Sequence, residues 1–163
     1  MTHTSSIEAR AFIIARYWAH AFWVLRGAQG QWLGELHGLA TDRRNGHPVP
    51  VGYRRWHSLR AWHFDAGQRL TLCKPGQPVE VVYRGADAQA RWARALALIE
   101  RVNALDLPYP RGGIKWWGAT VNSNSMFTTF AAALGLAPPK FSGLLQPGLG
   151  NCVMMHATTA RQD

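Results

Sequence analysis

Val121-Asn122-Ser123-Asn124-Ser125-Met126-Phe127 is the stretch on which the fold turns. Asn and Ser are residue types whose side chains accept hydrogen bonds from the unpaired amides of a first helical turn. Phe127, Phe130, Ala131 and Leu134 follow at i, i+3, i+4 and i+7, the apolar stripe of a buried helix, and Gly135 supplies its stop. A hydroxyl there sits where the helix dipole favours developing negative charge, so Ser123 and Ser125 read equally as a nucleophile or as parts of a cap.

Upstream the pattern is that of strands. Ala11–Ala15 is apolar, Trp18–Leu25 alternates, Gly27–Gly30 is a hairpin turn, and Gln31–Leu39 is the returning strand with Glu35 and His37 on one face. Thr41–Pro50 carries loop residues, and further strands are expected over Trp56–Phe64, Arg69–Cys73 and Val79–Tyr83. Asp87 is placed to cap a helix from Ala88 to about Leu105, with an apolar stripe of Trp92, Ala95, Leu96, Ile99 and Val102. Strands first and helices second predict an α+β domain: an antiparallel sheet of about five strands with two main helices on one face.

With 163 residues the chain is expected to form a single domain, 1–163, with a flexible 1–10 and an irregular tail over 136–163. Eighteen Lys and Arg against nine Asp and Glu give a formal charge of +9, which suits an anionic or polymeric substrate. The arginines are scattered, which disfavours nucleic acid, although Arg54, Arg55 and Arg60 interleave with Trp56 and Trp62. No apolar run is long enough for a transmembrane segment, and Met1–Arg10 is not a cleaved signal peptide. A soluble protein, cytoplasmic or exported without a cleaved signal, is the expectation; oligomeric state is not encoded legibly. Cys73 and Cys152 are expected as idle thiols rather than a disulfide, and no cofactor is implied. His57 and His63 share a strand face without a supporting carboxylate or thiol, so no metal site is expected. Gly148-Leu149-Gly150 reads as a turn rather than a phosphate loop.

His20 and His37 fall on adjacent strands of the hairpin, on one face. A strand histidine beside a helix-opening hydroxyl is the arrangement that a base-activated nucleophile needs. Asn122, Asn124, Ser125 and Glu35 are the polar groups expected to contact substrate.

This order of motifs resembles the circularly permuted papain-like hydrolases, a broad group with NlpC/P60-type peptidases, lecithin:retinol acyltransferase-like enzymes and deubiquitinating-type isopeptidases. The chain also resembles bacterial proteins that pair a Leu-His-Gly strand, here Leu36-His37-Gly38, with an Asn-Ser-Asn-Ser helix and a Pro-Gly-x-Gly-Asn segment, here Pro147–Asn151. The resemblance implies His20 as base, His37 as the orienting residue, Ser123 at the nucleophile position and Phe127 as its packing neighbour. Gly38 also leaves room for His37 to serve as the base by letting substrate approach. The departure is Ser123 where that family has Cys, which removes the thiol's low pKa. Two functions are compatible: an amide or ester hydrolase or acyltransferase, with an envelope-targeting bacterial effector or toxin as its expected context, and a non-catalytic binding domain that kept the fold.

Overall fold

The computed structural model describes residues 4–68, 70 and 74–154. It is an α+β structure. Strands β1 (Ser6–Ala15), β2 (Trp18–Arg26), β3 (Trp32–Asp42), β4 (Pro48–Val49), β5 (His57–Asp65) and β6 (Val79–Arg84) form one antiparallel sheet. Along one edge-to-edge path the order is β4-β3-β2-β1-β6, and β5 pairs with β3. Helices α1 (Ala88–Asn103) and α2 (Ser123–Leu134) follow.

Alternation explains which face the helices cover. Ala19, Ala21, Trp23 and Leu25 of β2 and Leu36 of β3 enter one core with Trp92 and Ala95 of α1 and Phe127, Phe130 and Leu134 of α2. The intervening residues, His20, Phe22 and Val24 of β2 and Glu35 and His37 of β3, are buried on the opposite face. Both faces of the hairpin are therefore covered.

The decisive irregularity lies between β2 and β3. Their ladder runs only from Trp23 opposite Leu36 to Arg26 opposite Trp32. Beyond it the strands part, and β4 takes the position beside Ala40 and Thr41 of β3. The start of α2 fills the split. Asn124 accepts from the Ala21 amide at 2.9 Å and donates to the Ala19 carbonyl at 3.0 Å, replacing the strand partner that β2 lacks. On the other lip of the split, a Cβ on Gly38 would stand 2.2 Å from Met126 Cβ and 3.0 Å from the Ser123 carbonyl oxygen. Gly38 thus admits the helix.

Several expectations are corrected. The polar N-terminal stretch is not flexible from Ser6 onward: β1 starts there, with Ile7 and Ala9 fully buried. Glu8 and Arg10, which hide the strand in the sequence, pair with each other at 2.9 Å. The Thr41–Pro50 loop contains the end of β3 and all of β4. Asp87 precedes α1 without a side-chain cap; its carboxylate is held by the Tyr83 hydroxyl and, at 3.0 Å, by Arg91. Residues 136–154 are irregular but integral, with Phe141 and Val153 buried and Leu145 bonded to the backbone of Tyr17 and Ala19. The expected strand at Arg69–Cys73, apart from an irregular Leu70, and the state of the Cys73 thiol lie outside the described residues. No helix among the described residues is long and apolar enough to cross a membrane.

Candidate functional site

The opening of α2 consumes most of the polar groups that its sequence offers. Asn122 is the N-cap: its Oδ1 accepts from the Asn124 and Ser125 amides, and Ser125 Oγ accepts from the Asn122 amide, a closed capping box. The Asn122 amide group also donates to Gly113 O at 2.7 Å and Pro147 O at 2.9 Å. Ser125 Oγ lies 3.0 Å from Gly148 O and 3.1 Å from Thr120 O. The hydrogen bonds of Asn122, Asn124 and Ser125 are thus made inside the fold, while Asn122 and Asn124, expected with Ser125 to contact substrate, also line a second cavity. Ser123 is different. Its hydroxyl faces the Tyr109 phenol and lines a cavity of about 270 Å³.

His20 lines the same cavity. It reaches it from the opposite face of the sheet, because the split between β2 and β3 opens one face to the other. Behind His20 runs a buried chain. His20 Nε2 lies 3.0 Å from His37 Nδ1, and His37 Nε2 lies 2.9 Å from Glu35 Oε2. Glu35 Oε2 also accepts from the Leu70 amide at 3.1 Å. A carboxylate can only accept, so His37 presents Nε2–H to it and keeps a lone pair on Nδ1 for the Nε2–H of His20. Each proton in the chain is thereby assigned, and the lone pair on His20 Nδ1 is left for the cavity. Glu35 is fully buried and absent from the cavity wall, so it orients His37 instead of touching substrate as expected.

Aromatic rings seal this chain. His37 stacks on Phe22 at 4.5 Å between centroids and meets Phe64 edge-on at 5.7 Å. Burial, reinforced by the neighbouring His37, pushes His20 down to about 3. Burial also lowers His37, against the opposing pull of Glu35. Both rings are neutral at physiological pH, and His20 carries a free lone pair there.

Tyr109 is a site residue that no motif in the sequence singles out. It stands in the loop between α1 and α2, its amide bonded to His57 O at 3.0 Å, and its phenol faces Ser123. Burial holds the phenol above its ordinary value, partly offset by the Ser123 hydroxyl and backbone N–H, so the group is a proton donor at neutral pH. A second cavity of about 260 Å³ shares Ile14, Tyr109 and Ser123 with the first, so the Tyr109–Ser123 pair stands between the two. The signal available in the sequence was an aromatic fixed between two prolines, Pro108 and Pro110.

The rest of the first cavity is apolar, with Phe12, Ile14, Leu39, Val49 and Leu70 in its wall. No charged side chain lines it among the described residues. His57 and His63 serve other ends: His57 Nδ1 accepts from the Tyr53 amide at 3.2 Å, and His63 meets the Trp92 ring edge-on. Of the interleaved arginines and tryptophans, Arg60 reaches Asp106 and Trp62 donates to Thr41 Oγ1. No protein-family model, curated protein or solved structure matches the chain.

Proposed function

We propose that the chain is a hydrolase or acyltransferase of esters or amides, with Ser123 as nucleophile and His20 as its general base. The observation that carries the proposal is the Glu35–His37–His20 chain, which ends at His20 in the cavity that the Ser123 hydroxyl also lines. Ser123 Oγ bonds to the acyl carbon while the carbonyl electron pair moves onto its oxygen, and the hydroxyl proton passes to His20 Nδ1. His20 can pass its Nε2 proton to His37, and His37 its own to Glu35, so that no buried ring need keep a charge. The Tyr109 hydroxyl, which the Ser123 N–H faces, is the donor assigned to the developing oxyanion; the Asn124 and Ser125 amides are already taken by Asn122. Collapse breaks the bond to the leaving alcohol or amine, which takes the proton back from His20. Water or an acceptor hydroxyl then releases the acyl group by the same steps. The apolar wall favours an apolar acyl group.

The order of strand histidine, second strand histidine and helix-opening nucleophile supports extending the proposal to a permuted papain-like relationship. A second reading, a binding domain without chemistry, draws on one observation: neither histidine makes a close hydrogen bond to Ser123 Oγ.

A fluorophosphonate probe and p-nitrophenyl esters of increasing acyl length separate the two. Hydrolase chemistry predicts an adduct on Ser123, loss of turnover in Ser123→Ala at unchanged stability, and retained activity in Ser123→Cys. Glu35→Gln, which no longer fixes the His37 tautomer, should lower kcat by about 100-fold or more, as loss of an orienting carboxylate does in serine triads. No adduct, an inert wild type and an active Ser123→Cys would establish the disarmed binding domain instead.

A further inference from the structure

The mouth of the second cavity is ringed by side chains that a water-exposed surface does not need. Ile14, Trp18 and Tyr53 line it and are 49%, 38% and 59% exposed. Tyr17, 51% exposed, accepts through its carbonyl from the amide of Leu145, itself 55% exposed, which joins the β1–β2 turn to the C-terminal segment. Trp116 and Trp117, 94% and 91% exposed, follow within four residues of Gly113 in the cavity wall, so they stand close to the same rim. Two adjacent tryptophans left almost wholly in water, close to an apolar rim, mark a surface built to be covered.

Charge says by what. The segments that make the rim, 9–34, 43–64 and 107–154, contain no Asp or Glu. They carry exposed Arg16, Arg54, Arg55, Arg111, Lys115 and Lys140. Arg16 lies over the Tyr17 ring at 5.3 Å, and Lys140 lines a shallow depression with Trp18 and Leu145. Tryptophan and tyrosine flanked by cations suit the boundary between lipid headgroups and acyl chains, whereas Ile14 and Leu145 offer nothing to a nucleobase or phosphate. We infer that this face docks on an anionic lipid bilayer, inserting Trp116 and Trp117 at the headgroup level and placing the mouth of the cavity against the membrane.

The inference does not depend on the proposed chemistry, and Ser123→Ala should bind as wild type does. The test is cosedimentation of the full chain with vesicles, either pure phosphatidylcholine or about one-third phosphatidylglycerol. Binding should require the anionic lipid and weaken as salt rises. Trp116→Ala with Trp117→Ala should reduce it by about tenfold or more without changing the thermal midpoint, since both side chains are in water. Arg16→Gln and Lys115→Gln should each reduce it by about fivefold. Absence of vesicle binding, or binding indifferent to the tryptophan pair, overturns the inference. So does a shift in size-exclusion volume, or binding to single-stranded DNA, that the tryptophan variant abolishes while no vesicle binding is seen.

Discussion

Asn124→Asp should weaken this protein, although an acidic residue in the first turn of a helix ordinarily strengthens it. The side chain is buried, and its geometry is specific: Oδ1 accepts from Ala21 N–H, while Nδ2 donates to Ala19 O at 3.0 Å and Pro147 O at 3.2 Å. Aspartate keeps the first bond and turns a second oxygen toward two carbonyl oxygens. The helix dipole returns about 0.3–1 kcal/mol for the charge. Against that stand two lost hydrogen bonds at about 1 kcal/mol each and a buried charge with one donor. The loss wins, and the carboxyl escapes it by staying protonated, so its folded pKa lies above the unfolded value near 3.9. The sign follows from linkage. Between those two pKa values the folded state binds more protons than the unfolded state, so stability falls as pH rises. A folded pKa at or above 7 gives a penalty of about 4 kcal/mol at pH 7, nearly all of it relieved by pH 4. Urea denaturation of variant and wild type at pH 7 and pH 4.5, compared as differences, measures it. A variant as stable as wild type at pH 7, or one whose deficit does not shrink on acidification, would refute the account of Asn124 as the missing partner of β2.

Two further outcomes are expected. Gly38→Ala should cost about 3 kcal/mol or more, the upper end for overpacking, because its new methyl meets Met126 Cβ at 2.2 Å. Met126→Ala should not rescue it, since the clash is with the Cβ that alanine retains; thermal melting of the double variant checks this. Wild-type stability should fall on acidification from pH 7 to pH 5. The unfolded chain protonates His20 below about 6.5, the folded chain only near 3, so His20 alone removes about 2 kcal/mol in that interval and His37 acts in the same direction. A urea midpoint flat between pH 5 and pH 7 would contradict the buried, neutral pair.

What the sequence discloses here is what is local. Helix α2 announces itself because its cap, its stripe and Gly135 lie within fifteen residues, and the observed Ser123–Leu134 matches that expectation. The hairpin is legible for the same reason. The division of labour among Asn122, Ser123, Asn124 and Ser125 is not, since four small polar residues in a row look alike. Only the positions of Ala19, Ala21, Pro147 and Gly148 show that the other three bond to backbone groups of the fold while Ser123 faces Tyr109 and the cavities. Those partners act through backbone atoms, which leave no mark on residue identity. The parting of β2 from β3 is hidden likewise, because alternation continues through it. The Glu35-x-His37 spacing did put both on one face, but that His20 completes the chain at 3.0 Å depends on cross-strand geometry.

The Pro147–Asn151 segment has a consequence for the order in which the protein can be made. Its carbonyls and side chains finish the junction at Asn122, Asn124, Ser125 and Thr120, across separations of more than twenty residues. The junction itself binds α2 to β2 over more than a hundred. During translation the sheet and α1 can assemble early, but the seat of Ser123 waits for residues synthesised well after it. Slow, long-range closure of this kind delays completion of that seat until residues 147–151 have left the ribosome. A cell making the protein would therefore carry nascent chains in which His20 and His37 are already synthesised and the seat of Ser123 is not yet closed.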